Sequence, residues 1–260
     1  MMNQLKELYR YRDLFVSLVQ RDLTVRYRQT LLGIAWAILQ PLALMLIFTL
    51  VFSRFGKVSS DGLPYPVFSY SGLVPWTFFA TGLSLAANSL SANINLVKKI
   101  YFPREIFPLA AITGCFMDLL IAGSLVAGLL AWYRIPVGPQ LVWLPWLIAV
   151  EVGFLASVAL LVSALNVFYR DVKYVVPLLV QLGLFVTPVI YSPSMVPAHL
   201  RPFYMLNPMA VVIDGVRRVV LHGQPPELGP LLVSTALVSA LGVFAYSFFK
   251  RVEVKFADLI

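Results

Sequence analysis

Six apolar runs, each about twenty residues long and set apart by short charged or proline-rich breaks, constrain this chain more than any other feature. They begin near Leu31, Val67, Leu109, Leu141, Val175 and Leu231. About twenty apolar residues in a helix cover the ~30 Å of hydrocarbon in a bilayer, and a spanning segment must satisfy its backbone groups internally. Only 12% of the 260 residues are charged, against about 25% in soluble domains. No polar block the size of a soluble domain interrupts the runs. The chain reads as an all-α integral membrane protein: an amphipathic cytoplasmic interface helix and linker over 1–30, then one six-helix transmembrane domain over 31–260.

The runs differ in character. Leu31 to Phe52 contains Pro41, which membrane helices tolerate when neighbours satisfy the freed carbonyl. Val67 to Ile94 carries Ser69, Ser71, Thr77, Thr81, Ser84, Asn88, Ser89, Ser91 and Asn93, residues that suit helix contact or a wet lining better than lipid. Leu109 to Trp132 and Leu141 to Phe168 are plainly apolar, with a tight Pro136–Pro139 connection between them. Val175 to Ile190 is short and interrupted by Pro177 and Pro188, and Leu231 to Phe249 is the last run. Residues 191–229 form the longest connection and should hold short helices, about 193–222. Asn207 as N-cap and Pro208 as first helical residue open one of them. Asp214 stands three and four residues before Arg217 and Arg218, and Gly223 with Pro225 and Pro226 ends it.

Ahead of the first run, 3–24 form a helical wheel with Leu5, Leu8, Tyr9, Phe15, Val16, Val19 and Leu23 on one side. Lys6, Arg10, Asp13, Ser17, Arg21 and Thr24 lie on the other, a pattern for a helix lying in a membrane interface or packed on a partner. No short apolar core with a small-residue cleavage site is present, so a cleaved signal is not expected. Six spans put both termini on one side. Fourteen Lys and Arg residues fall on that side and six on the other, so the positive-inside rule makes the termini cytoplasmic. The net charge of +8 is then a topology signal, and the basic residues do not form a nucleic-acid site.

The most charged break, Asn95 to Pro108, falls on the cytoplasmic side and carries Lys98, Lys99, Arg104 and Glu105. It reads as a turn outside the bilayer and as a docking surface. A second, smaller turn holds Arg170, Asp171 and Lys173. Nothing in the chain resembles a phosphate-cradling G-x-x-x-x-G-K-[ST] loop, and Gly56 to Ser59 is a chance fragment. His199 and His222 are isolated, the single Cys115 sits in an apolar run, and no metal site is expected. Asp118 and Glu151 fall near mid-span, where burying a carboxylate costs at least ~2.5 kcal/mol. Each is either a relay or pore-lining group or a neutral carboxyl bonding between helices, with no Lys or Arg expected at that depth. Tyr65, Phe68, Tyr70, Trp76, Phe78 and Phe79 gather at the outer end of the polar second run; they are either an interfacial belt or rings along which sugars slide. Trp132, Tyr133, Trp143 and Trp146 read as an interfacial belt. Arg26 and Arg28 are either plain anchors or phosphate ligands at headgroup depth.

Several of these residues carry a resemblance that runs through the chain in order. Arg21-Asp22-Leu23, Arg26-Tyr27-Arg28-Gln29-Thr30-Leu31-Leu32-Gly33, Trp36 and Gln40-Pro41-Leu42 open it. Asn95 to Lys99, Phe102-Pro103-Arg104-Glu105, Asn166 to Val172, Thr187 to Tyr191, Asn207-Pro208-Met209 and Phe256-Ala257-Asp258 continue it. The chain resembles the ABC-2 type permeases that export cell-surface polysaccharides, and most of all the O-antigen exporter permeases of the Wzm type.

The resemblance implies a transport subunit and not an enzyme. It would act as a homodimer with two copies of a separate cytoplasmic ABC ATPase, which holds the ATP and Mg and leaves this chain without a cofactor. The substrate would be a polysaccharide on a polyprenyl diphosphate lipid, crossing the inner membrane for lipopolysaccharide biosynthesis. Coupling to the ATPase would fall to Asn95, Leu96, Lys98, Lys99, Tyr101, Phe102, Arg104, Glu105, Arg170 and Asp171. Arg26, Arg28 and Gly33 would hold the diphosphate headgroup, the six aromatics from Tyr65 to Phe79 would line the glycan path, and Asn207, Asp214, Arg217 and Arg218 would form an outer gate. Alternatives are a teichoic-acid or capsule exporter, a drug exporter of the same superfamily, and a proton-coupled transporter using Asp118 and Glu151.

Overall fold

The computed structural model describes residues 9–28, 30, 33–55, 59–99, 102–169 and 171–256, and these fold as helices and turns without a strand. In chain order the helices are α1 (Arg12–Tyr27), α2 (Trp36–Phe48), α3 (Tyr65–Ala92), α4 (Ile94–Lys99), α5 (Ile106–Trp132), α6 (Leu144–Phe168), α7 (Val172–Val186), α8 (Arg201–Tyr204), α9 (Pro208–Leu221) and α10 (Leu228–Val252). A 3₁₀ turn, Gly33–Ala35, leads into α2, and a π-helical stretch, Thr49–Phe55, continues it.

Among the described residues, four segments are long and apolar enough to cross a membrane: Gly33–Ser53, Ile106–Trp132, Pro139–Phe168 and Leu228–Lys255. They correspond to the first, third, fourth and sixth apolar runs. The fifth is α7, whose 15 residues reach about 22 Å at 1.5 Å per residue, short of a bilayer's hydrocarbon. It stops at Thr187, whose backbone is extended, because Pro188 disfavours the α conformation in the residue before it.

The second run is α3, the centre of the bundle. Its 28 residues pack against α2, α5, α6, α7 and α9, and both of its faces are buried over most of its length. Most of its polar residues bond within the helix itself. The hydroxyls of Ser69, Ser71, Thr77, Ser84 and Ser89 donate to carbonyls three or four residues earlier in the same helix, and the amides of Asn88 and Asn93 do likewise. Bonded inward, these short side chains let neighbouring helices approach closely. Gly82 shows how close: a Cβ there would stand 2.7 Å from Leu155 of α6.

The stripe that α1 buries is not the expected one. Leu18 is its buried residue, with Tyr11, Leu14, Phe15 and Val19 packed around the same cluster, whereas Tyr9 and Val16 are exposed. The reason is that α1 leans on α5, close to Phe107 and Ala110, and this contact selects the i, i+3, i+4, i+7 face centred on Leu18.

Candidate functional site

Where α1 ends, the chain turns back into the membrane-spanning helix that follows. Gly33 makes the turn with a φ of +49°, a left-handed conformation in which glycine carries no steric cost. Beside this turn lies a cavity of about 250 Å³ lined by Arg26, Tyr27, Gly33, Trp36, Gln40, Thr77 and Asp118, with Pro41, Phe78 and Cys115 among its apolar walls. Arg26 and Gly33 both line it. Arg28 is exposed and does not line the cavity, because two residues of helix carry it about 200° around the axis from Arg26.

Arg26 forms an ion pair with Asp118, and the hydroxyl of Tyr27 donates to the other carboxylate oxygen. A cation therefore does lie at the depth of Asp118, contrary to the sequence-based expectation. Counted along α5, Asp118 stands about 18 Å beyond Ile106. An arginine twenty-odd residues from the N-terminus reaches it because α1 packs along α5, a contact that spacing along the chain does not show.

Glu151 is the other mid-span acid. It is buried in α6, and among the described residues its Oε1 has no hydrogen-bond partner and no cation pairs with it. Among the described residues, no group of His, Cys, Asp and Glu could hold a metal ion.

The six aromatics of α3 are all in the core. Tyr65, Phe68, Tyr70, Trp76, Phe78 and Phe79 are each under a tenth exposed. Trp76 sits where a Cβ on Gly183 of α7 would be 2.8 Å away, Phe79 stacks on Phe154 of α6 at 5.3 Å, and Phe78 meets Phe116 of α5 edge-on. Their ring faces are covered by helices of this same chain, which corrects the expectation that they face a lumen. Trp143 and Trp146, by contrast, stack on each other with ring centroids 5.8 Å apart, and Trp132 is exposed.

The break after Asn95 divides into an exposed and an anchored part. Asn95 is exposed and Leu96 partly so. The side chains of Lys98 and Lys99, and all of Tyr101 and Arg170, lie outside the described residues. Phe102 and Glu105 are buried, which corrects their reading as docking surface. Glu105 accepts from Lys250 at 2.8 Å and from the Tyr246 hydroxyl at 3.3 Å, both on α10. Arg104 donates to the Glu253 carbonyl and lies over the Phe256 ring. These residues bolt the break to the end of α10. Asp171 is exposed at the start of α7.

At the opposite end of the bundle, Asn207 caps α9 by accepting from the Met209 N–H at 3.1 Å, as its sequence predicts. Asp214 pairs with Arg218 at 2.9 Å, and Arg218 also pairs with Glu227. Burial pushes the Asp214 carboxyl up, with Arg218 partly opposing. Arg217 does not join this pair. It is 3% exposed and donates to the carbonyls of Phe68, Pro188, Val189 and Tyr191 while lying 3.6 Å from the centre of the Phe68 ring. Burial pulls its guanidinium down to about 10, so it stays charged at neutral pH. Three of these carbonyls, of Pro188, Val189 and Tyr191, follow the break at the end of α7, and Tyr65 donates to a further one there, on Ile190, at 2.9 Å. Arg217 therefore ties the broken end of α7, the first turns of α3 and α9 into one unit. The Asp61 carboxylate does similar work nearby, accepting from Ser192 and Ser194.

An all-helical bundle whose described residues include four segments long and apolar enough to cross a membrane is that of a multi-pass membrane protein. Residues 13–221 match the family described as ABC-2 type transporter, and the chain belongs to that family. Across the full length of both proteins it is 31% identical to the O-antigen export system permease protein RfbA of Myxococcus xanthus. It is 30% identical to a protein of the same name from Klebsiella pneumoniae over 95% of each chain. The polysialic acid transport protein KpsM of Escherichia coli is 23% identical over 88% of this chain and 91% of its own.

Proposed function

We propose that this chain is the transmembrane half of an ATP-driven exporter that moves a polyprenyl-diphosphate-linked polysaccharide of the O-antigen type across the inner membrane. The observation that carries the reading is the end-to-end similarity to O-antigen export permeases, to which the cavity at Arg26 and Gly33 adds a place for an anionic headgroup. A capsule polysaccharide is the second reading, favoured by the similarity to a polysialic acid transport protein.

In this reading six segments cross the membrane, with α3 and the short α7 completing the four long apolar ones. Both termini are cytoplasmic, two copies form the channel, and two ATPase subunits bind below. ATP binding closes the ATPases, and the exposed Asn95 and Leu96, together with Lys98, Lys99, Tyr101, Arg170 and Asp171, receive the motion. Glu105 and Arg104 pass it to α10 through the contacts with Lys250 and Glu253. The diphosphate is held at Arg26, with Arg28 attracting it from the exposed side of α1. The sugar chain follows a path between the two copies, and it meets the α3 aromatics only where helix movement uncovers them. The α8–α9 segment, tied to α7 by Arg217, opens or closes the outer end.

The test is export of surface polysaccharide in cells carrying the Arg26→Ala and Arg28→Ala double variant, alongside co-purification with a soluble ATP-binding subunit. Lost export with retained co-purification supports the headgroup assignment. Unchanged export removes it, and failure of the unmodified chain to co-purify with any ATP-binding subunit removes the exporter reading.

A further inference from the structure

Arg26 lines two cavities at once. One is the 250 Å³ cavity beside Gly33. The other, about 530 Å³, lies under α1 between the last turns of α3 and the first turns of α5, and presents Arg21, Asp22, Asn88 and Asn93 among apolar walls. Arg21 is already engaged there, donating to Asn93 at 2.7 Å and to Asp22. At the boundary between the cavities stands the ion pair of Arg26 with Asp118, braced by the Tyr27 hydroxyl. The two side chains are 25% and 22% exposed, so the pair is largely shielded yet reachable from a cavity. The cation best placed to bind a phosphate is thus held by an anion of the same chain.

We propose that Asp118 is a displaceable counter-ion: it holds Arg26 while the cavity is empty, yields it to the lipid diphosphate, and so sets the binding energy a headgroup must supply to be accepted. This rests on the headgroup reading above and adds a gatekeeping residue to it, with Tyr27 keeping Asp118 in place. An unpaired guanidinium away from water is costly, and Asp118 offsets that cost in the empty state. A diphosphate offers more charge and more acceptor oxygens to the planar fork than one carboxylate does, so it displaces Asp118. The cost of displacement is the same for every headgroup, so all affinities fall together and only a headgroup that holds Arg26 strongly stays bound.

The experiment measures binding of farnesyl diphosphate, farnesyl monophosphate and inorganic pyrophosphate to the full-length chain in lipid nanodiscs. It compares the unmodified chain with Asp118→Asn and Arg26→Ala. Charge pairs at binding sites couple by more than a kcal/mol, so Asp118→Asn should bind farnesyl diphosphate about tenfold tighter. It should bind the monophosphate tighter as well, by a similar factor or less, because the lost carboxylate also repelled the more highly charged diphosphate more strongly. A merely structural role for Asp118 would leave both affinities unchanged or weaker. Tyr27→Phe, a milder change that keeps the ion pair, should shift affinity the same way by about twofold and serves if the asparagine variant does not fold.

Unchanged or weaker diphosphate binding in Asp118→Asn, with binding lost in Arg26→Ala, overturns the counter-ion and leaves the headgroup reading standing. No diphosphate binding to the unmodified chain or to Asp118→Asn overturns both. Pyrophosphate binding as tightly as its farnesyl ester assigns the site to free phosphate and overturns the proposal as a lipid gatekeeper.

Discussion

Replacing Arg217 by alanine should destabilise this chain more than any change to its surface charges. The side chain serves three buried carbonyls, those of Phe68, Pro188 and Val189, and the partly buried one of Tyr191. The Phe68 carbonyl keeps the Ser71 hydroxyl, so two buried carbonyls lose their donor, at about 1–3 kcal/mol each or roughly 2–6 kcal/mol together. The lost stacking on Phe68 adds about 1–2 kcal/mol. Against this, the penalty for burying the guanidinium, several kcal/mol, is recovered. A net loss of about 2–3 kcal/mol remains, and at roughly 2–4 °C per kcal/mol for a chain of this size the midpoint should fall by about 8 °C. The assay is thermal unfolding of the purified full-length chain in detergent by tryptophan fluorescence, at one heating rate because unfolding of such proteins is often irreversible. Arg218→Ala is the control; its pairs are with the partly exposed Asp214 and Glu227 side chains, and it should cost about 1 kcal/mol or less. Gly72→Ala probes the same network from the other side, since a Cβ there would stand 2.6 Å from the Arg217 Nη2, which four carbonyls keep from retreating. It should lower the midpoint in the same direction. An Arg217→Ala midpoint within about 2 °C of the unmodified chain, or a larger effect from Arg218→Ala, would refute the reasoning.

Other outcomes follow from the same contacts. Glu105→Gln should weaken the tie between the break and α10 while Glu253 still holds Lys250, costing about 1–2 kcal/mol; polysaccharide export should fall further than ATPase binding, measured by co-purification. Gly183→Leu should displace Trp76, and overpacking of about 1–3 kcal/mol should appear as a lower midpoint with a shifted tryptophan emission. Burial raises the Asp214 carboxyl, so the folded chain binds more protons than the unfolded one from the ordinary aspartate value of about 3.9 upward to the raised value. Its contribution is full below that window and is lost as pH rises through it. Asp214→Asn should therefore flatten the fall of thermal stability with rising pH in that window, seen in paired pH–midpoint curves.

Much of the architecture was written in local pattern. Asn207-Pro208 gave the start of α9 because capping chemistry acts within a few residues, and Pro188 marked where α7 stops for the same reason. The four strongest apolar runs needed only length and composition. What local pattern could not show was which groups meet. Arg26 and Asp118 are 92 positions apart, and Glu105 and Lys250 are 145 apart; neither pairing has a spacing rule. The polar residues of α3 could be placed away from lipid but no further, for a related reason: hydroxyls that bond their own helix look in sequence like hydroxyls that face water. Its aromatics misled because a central helix buries every face, and a cluster of rings is equally suited to a core or a lumen. Arg217 illustrates the limit best, since its partners are backbone carbonyls, which every residue has and no sequence pattern distinguishes.

The central claim is that this chain carries a lipid-linked polysaccharide across the inner membrane. Its most direct test is removal of the chain from cells that otherwise make the polysaccharide, with the glycan followed on both membrane faces. The account predicts that surface polysaccharide disappears, that the diphosphate-linked glycan accumulates at the cytoplasmic face, and that the unmodified chain restores export. Surface polysaccharide at its normal level in the absence of the chain would contradict it.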